Sequence, residues 1–293
     1  MMIKNQVIFD MLWALLSILS GLGDAISFSA IKRLRSLNST LLLTFINLSV
    51  LLPVSLGLLF YGFSPVPYYF YILVFITSVL FMIGQYFIIE SLKSADLSKT
   101  VPMLSFTPVF TLLTSYIVLK EIPSALGLVG VMLIVIGAYI VNFSKYKTKE
   151  IRFIFKDKAS MQMLLVAFLF SITSVLAKKG IILSNPAHFM FVHYLINSII
   201  LVMLFYKKIK SGFGIFKKSI SDLSIYGIAA GISELLIAIA ITSSIVPYVI
   251  SLKRTSIIFS VIIGYFFFKE KDFKFSLMGS LIMFVGVLLI TLF

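Results

Sequence analysis

The chain has 293 residues, 60% of them hydrophobic and 12% charged, with 29 phenylalanines and a mean hydropathy of +1.11. A soluble domain carries about twice that share of charge, so the composition excludes a soluble enzyme or binding module. The formal charge of +14 would argue for nucleic acid in a soluble chain, but here it has to be read from where the basic residues lie; the absence of cysteine excludes disulfides, thiol catalysis and thiolate metal sites.

Apolar runs of about 20 residues can cross a ~30 Å hydrocarbon core as helices. They predict ten membrane helices, at 8–31, 40–60, 67–89, 97–119, 123–143, 160–182, 187–206, 222–243, 246–268 and 273–293. The first run lacks a small-residue cleavage site and leads directly into further spans, so it is expected to be a retained helix. It carries Asp24, preceded on the same face by Ser20 and followed by Phe28. An acid there is either a proton- or cation-coupling group or a carboxylate neutralised by Lys32 or Arg33.

The second and third spans carry Asn47, Pro53 and Gln85, and the fourth Pro102, Ser105 and Pro108 with Thr107, Thr111 and Ser115 at helical spacing. That stripe of small residues suits close helix packing or a polar cavity wall. Lys120-Glu121 closes the span, and the fifth carries Gly127, Gly130 and Gly137 on one side. Glu121 and its counterpart Glu270 are placed to bind helix N-terminal donors or to form a gating salt bridge. On the seventh span His188 and His193 are five apart, share no face and form no chelate; they read as packing or interfacial residues, with a proton-handling role open for His193. Asn197 lies beyond them.

Glu234 sits in the middle of the eighth span, ten residues before the turn at Ser244, which puts it ~15 Å deep. Lys253 and Arg254 lie eight and nine residues past Ile245, at ~12 to 14 Å on the adjacent span. Charge at the centre of a bilayer costs at least ~3 kcal/mol, so it needs a partner, water or a ligand. The matching depths make Glu234 the expected counter-charge. The set either lines an aqueous pocket or forms a buried salt bridge that fixes the two helices. Pro247 occupies the first turn of the ninth span, and Ser256, Ser260 and Gly264 repeat the small-residue stripe.

Shifting the chain by 149 residues lays Phe110, Tyr116, Lys120-Glu121, Leu128, Gly130 and Gly137 on Phe259, Tyr265, Lys269-Glu270, Leu277, Gly279 and Gly286. Residues 1–145 and 160–293 thus read as two five-helix repeats joined by a basic loop, 146–159. Five is odd, so the second copy is expected to enter the bilayer inverted, giving an all-α integral membrane fold of ten transmembrane helices as two inverted-topology repeats. Nineteen of the 25 basic residues fall in the connections after odd-numbered spans. Basic loops stay cytoplasmic, which predicts outward-facing termini in a multi-pass cytoplasmic membrane protein.

The paired helices ending in "KE" and followed by Gly-spaced helices, "LKEIPSALGLVGVMLIVIG" and "FKEKDFKFSLMGSLIMFVG", resemble the EamA-type drug/metabolite transporter superfamily over nearly the whole chain. "LKRTSIIFSVIIGY" is similar to a form common in second repeats, and Pro108 matches a family proline whose counterpart here is Ile257. The resemblance implies a secondary transporter, an exporter of small polar or amphipathic metabolites such as amino acids or drugs, and not an enzyme. Gln85, Ser105, Glu234, Lys253 and Arg254 are the expected cavity residues, Asp24 and Glu234 the coupling candidates, and Pro102, Pro108 and Pro247 the bending points. Expected partners are a small-molecule substrate and the lipid bilayer, with no nucleic acid and no cofactor or metal, in a monomer or homodimer. No phosphate-binding Gly-Lys loop is present, so coupling to an ion or substrate gradient is expected in place of ATP. An intramembrane enzyme would need convergent catalytic groups, and a channel charged rings or filter loops; a non-transporting membrane partner remains the other alternative.

Overall fold

The computed structural model describes residues 2–94, 101–143, 158–268 and 273–292, and every regular element among them is helical. The basic connector up to residue 157, Lys99 and the Lys269-Glu270 pair lie outside the described residues. The helices are α1 (Met2–Arg33), α2 (Ser39–Tyr61), α3 (Tyr68–Ser94), α4 (Thr107–Leu119), α5 (Ala125–Phe143), α6 (Lys158–Leu183), α7 (Pro186–Lys218), α8 (Ile220–Ser243), α9 (Val246–Lys253), α10 (Ser256–Phe268) and α11 (Phe273–Leu292). Six contain stretches long and apolar enough to cross a membrane unaided: Leu12–Arg33, Ser39–Tyr61, Tyr68–Ser94, Lys158–Leu183, Pro186–Gly212 and Ile220–Ser243.

Local chemistry sets the ends. Asn38 opens α2 by accepting the Thr40 amide at 3.1 Å, and Gly62, at φ 64°, closes it with its N–H on Leu58. Asn185 opens α7 the same way, accepting the His188 amide at 2.8 Å, with Pro186 in the first position where no donor is needed.

Two expected continuous spans are broken. The fourth is a short 3-10 turn, Val101–Phe106, followed by α4, and the ninth is split into α9 and α10 by Arg254 and Thr255. The breaks fall at repeat-equivalent positions, Phe106/Thr107 and Thr255/Ser256. Pro108 therefore does not interrupt a helix, as the sequence suggested; it occupies the first turn of α4, and Pro247 occupies that of α9. Pro102 lies in the 3-10 turn. The seventh span also runs past its expected end at 206, through a bend at Phe205 (φ −117°, ψ 19°), so that the lysine-rich stretch to Lys218 is helical as well.

Small residues bring backbones together. A Cβ on Gly130 would meet the Gly286 carbonyl at 2.8 Å, and one on Gly137 would meet the Gly279 carbonyl at 2.6 Å. Position rises along α5 as it falls along α11, so these repeat-equivalent helices run antiparallel. Gly21 of α1 packs on the Lys253 carbonyl in the same manner, and Gly23 on Ser233 of α8. The α4 stripe serves packing too: Thr107, Thr111 and Ser115 are fully buried, with Thr107 bonding Leu104 and Thr111 bonding Thr107 on their own segment.

Candidate functional site

A cavity of about 110 Å³ opens between the two halves of the chain, room for several waters or a small molecule. It is lined by α1, α2, α3, the 3-10 turn, α6, α7, α8 and α9, in stripes at helical spacing: Asp24, Phe28 and Ile31 on α1; Thr77, Phe81, Gln85 and Ile88 on α3; Tyr226, Ala230, Glu234, Ile237 and Ile241 on α8. Many liners are repeat counterparts at the 149-residue shift. Asp24 answers Thr173, Thr77 answers Tyr226, Phe81 answers Ala230, Gln85 answers Glu234, and Leu104 answers Lys253.

At the centre of the cavity wall, Lys253 Nζ lies 3.3 Å from Asp24 Oδ2 and 3.4 Å from Glu234 Oε1. The break after Lys253 lets the C-terminal end of α9 project its side chain between α1 and α8. Ser233 donates to Asp24 Oδ1 at 2.8 Å and lies 2.9 Å from Ser20 Oγ, tying the carboxylate to both helices. Glu234 thus meets Lys253 as the depths suggested, but it shares that cation with Asp24. Asp24 does not turn to Lys32 or Arg33; Arg33 instead approaches Asp222 at 3.5 Å, exposed. Arg254 is not part of the ion pair.

Gln85 accepts a hydrogen bond from Asn47 Nδ2 at 2.8 Å, linking α2 to α3, while its own amide nitrogen has no partner among the described residues. Ser105, the counterpart of Arg254, is buried in the 3-10 turn and is not among the cavity liners; the neighbouring Leu104 is. Phe106 and Tyr248 also fall outside the lining.

Sequence reasoning missed Tyr194, Tyr226 and Phe170, all three in the lining, and gave His193 no firm place in it. His193 is buried, with Nδ1 3.1 Å from Ser78 Oγ and its ring stacked against Phe189. The signal for Tyr226 was available: it lies eight residues before Glu234, on the same face of α8. Tyr194 sits one residue past His193 and had no such marker.

A second buried cluster lies away from the cavity. Lys178 of α6 meets Glu121 Oε1 at 2.5 Å and donates to the Ser244 carbonyl at 2.7 Å. Glu121 Oε2 accepts the Val246 amide at 2.9 Å and the Ser115 hydroxyl. One carboxylate therefore gathers α4, α6 and the start of α9, combining the two roles considered for it: binding helix N-terminal donors and pairing with a cation. Beside it Tyr248 receives the Ser124 amide at 2.8 Å.

The profile of the EamA-like transporter family matches residues 11–143 and again 158–292. The chain belongs to the EamA-like transporter family. It is a multi-pass membrane protein of transporter type, built from two copies of the family unit. A solved structure described as "Crystal structure of protein" shares 14% identity with this EamA-like chain and superposes with a TM-score of 0.70 over 97% of this chain and 96% of that one. At that identity the likeness is one of fold. No curated protein gives a significant match.

Proposed function

We propose that this EamA-like protein is a secondary transporter that moves small polar or amphipathic metabolites outward across the cytoplasmic membrane by alternating access, with the central cavity as its carrying site. The observation that carries the reading is the Asp24–Lys253–Glu234 cluster facing that cavity. Charge held deep in a membrane bundle marks substrate or ion pathways.

Residues 1–145 and 160–293 are taken as two repeats of inverted topology, with the basic loops cytoplasmic and both termini outside. The antiparallel packing of α5 on α11 supports inversion, and so does a cavity lined by repeat counterparts. The two broken spans bring backbone ends to the same region, a common arrangement at transporter binding sites. Asp24 and Glu234 are the coupling acids, since two carboxylates share one lysine and either can take up a proton without leaving Lys253 unpaired. Glu121 with Lys178 closes one end of the pathway.

Counterflow in liposomes tests the reading. Vesicles containing the full-length protein and preloaded with an unlabelled metabolite pool should accelerate uptake of the labelled member that is carried. Uptake that ignores internal loading for every member of an amino acid, nucleoside, organic acid and drug panel would rule out a carrier.

A further inference from the structure

Lys253 and Arg254 are adjacent in sequence but not alike in surroundings. Lys253 has two carboxylates within ion-pair distance. Arg254 lines the same cavity and is 5% exposed, yet its guanidinium donates no hydrogen bond to any described residue, and Nε is shut away from solvent without a partner. Asp24 acts on it through space, beyond ion-pair distance. A guanidinium keeps its charge at all accessible pH and presents five donors in a planar fork. A buried charge without a partner is among the costliest features a fold can hold. Terminal guanidinium donors on a side chain that lines a cavity, with none paired to a described residue, therefore point to a ligand that supplies the acceptors.

The neighbours narrow the class. Asp24 and Glu234 are both engaged by Lys253, so a cationic ligand would have to displace a tethered internal cation. The remaining wall near the charged cluster is largely apolar and aromatic, with Phe28, Phe81, Phe170 and Phe189. We propose that Arg254 receives the oxyanion of the transported molecule, a carboxylate or a phosphate ester, whose apolar body lies against these rings, and that Lys253 is an internal counter-ion and not a ligand contact. The fork geometry of Arg254 suits two-point binding of either oxyanion. The inference rests on the transporter reading but is tested apart from it.

The experiment measures the thermal unfolding midpoint of the full-length protein in detergent with matched probes: 3-phenylpropionate, phenyl phosphate, 3-phenylpropionamide and 3-phenylpropylamine. At about 10 mM, a bound probe raises the midpoint by mass action. The expected result is stabilisation by one or both anions and not by the amide or amine; which anion acts separates the carboxylate from the phosphate source. Arg254→Gln should weaken the effective anion about 10- to 100-fold, and Arg254→Lys, which keeps the charge but loses the fork, should fall between. Should Arg254→Gln fail to fold, the wild-type comparison of acid with amide and the Arg254→Lys variant still decide. Equal stabilisation by the amide, preference for the amine, no anion effect at all, or an anion effect that survives in Arg254→Gln would each overturn the proposal. Counterflow of neutral or cationic cargo without anion preference overturns this inference and leaves transport standing. Anion preference without counterflow does the reverse.

Discussion

Lys178 Nζ stands 2.5 Å from Glu121 Oε1, joining α6 of the second half to the α4–α5 corner of the first. Both side chains are mostly buried, at 14% and 11% exposed, and the same carboxylate holds the first turn of α9 through the Val246 amide. Removing one partner of a buried pair costs about 3–5 kcal/mol, because the other charge is left without compensation. Glu121→Gln should therefore lower the unfolding midpoint markedly, and Glu121→Gln with Lys178→Met should recover much of the loss. The chain has no native cysteine, so a single cysteine at Ser244 gives a clean second readout. Its labelling by a water-soluble maleimide should accelerate in Glu121→Gln; unchanged labelling would count against a closure role for this pair.

Asp24 and Glu234 should behave as a coupled pair. Asp24→Asn or Glu234→Gln alone leaves Lys253 one carboxylate, whereas the double variant leaves it none. The double loss in stability should exceed the sum of the singles by about 0.5–3 kcal/mol, the range seen for residues in one charge network. Additive losses would mean that the two acids do not share the lysine.

Gly130 and Gly286 should not tolerate larger side chains. A Cβ on Gly130 meets the Gly286 carbonyl at 2.8 Å, and one on Gly286 meets the Gly130 carbonyl at 2.6 Å. Overpacking a rigid contact costs about 1–3 kcal/mol, and Gly130→Leu or Gly286→Leu should show at least that loss in detergent unfolding. Gly62→Ala serves as the contrast. Nothing lies within 4 Å of its Cβ position, so its cost is confined to the backbone, whose φ of 64° with ψ −174° is essentially reserved for glycine, about 1–3 kcal/mol.

Gln85→Leu removes the acceptor of the Asn47 side chain and takes a polar group from the cavity wall. Leaving a buried polar group short of a partner costs about 1–3 kcal/mol. Pairing Gln85→Leu with Asn47→Leu should restore stability while leaving any change in ligand stabilisation in place, which separates the structural part of Gln85 from its part in binding.

Much of this is legible in the sequence. The apolar spans, the 149-residue repeat and the glycine stripes follow from strong periodic signals that bilayer crossing and close packing impose on sequence. Glu234 and Lys253 were matched by depth alone, because helical rise converts residue count into distance. What escaped were features decided by neighbours distant in sequence. Asp24 belongs with Lys253 because α1 packs between α8 and α9, a choice that no local pattern records. The breaks before Thr107 and after Lys253 carry no glycine, and only Pro108 hinted at one of them. Tyr194 and Phe170 line the cavity through helix rotation, and in a chain with 29 phenylalanines one more ring attracts no notice.

The seam between α5 and α11 maps onto itself. Gly130 faces Gly286 and Gly137 faces Gly279, while the repeat equates Gly130 with Gly279 and Gly137 with Gly286, so exchanging the halves turns one contact into the other. A self-complementary face of this kind is what a two-fold homodimer would require. Each unit thus carries on its last helix a glycine face shaped to receive the antiparallel copy of that same helix, so one surface design serves both sides of the seam.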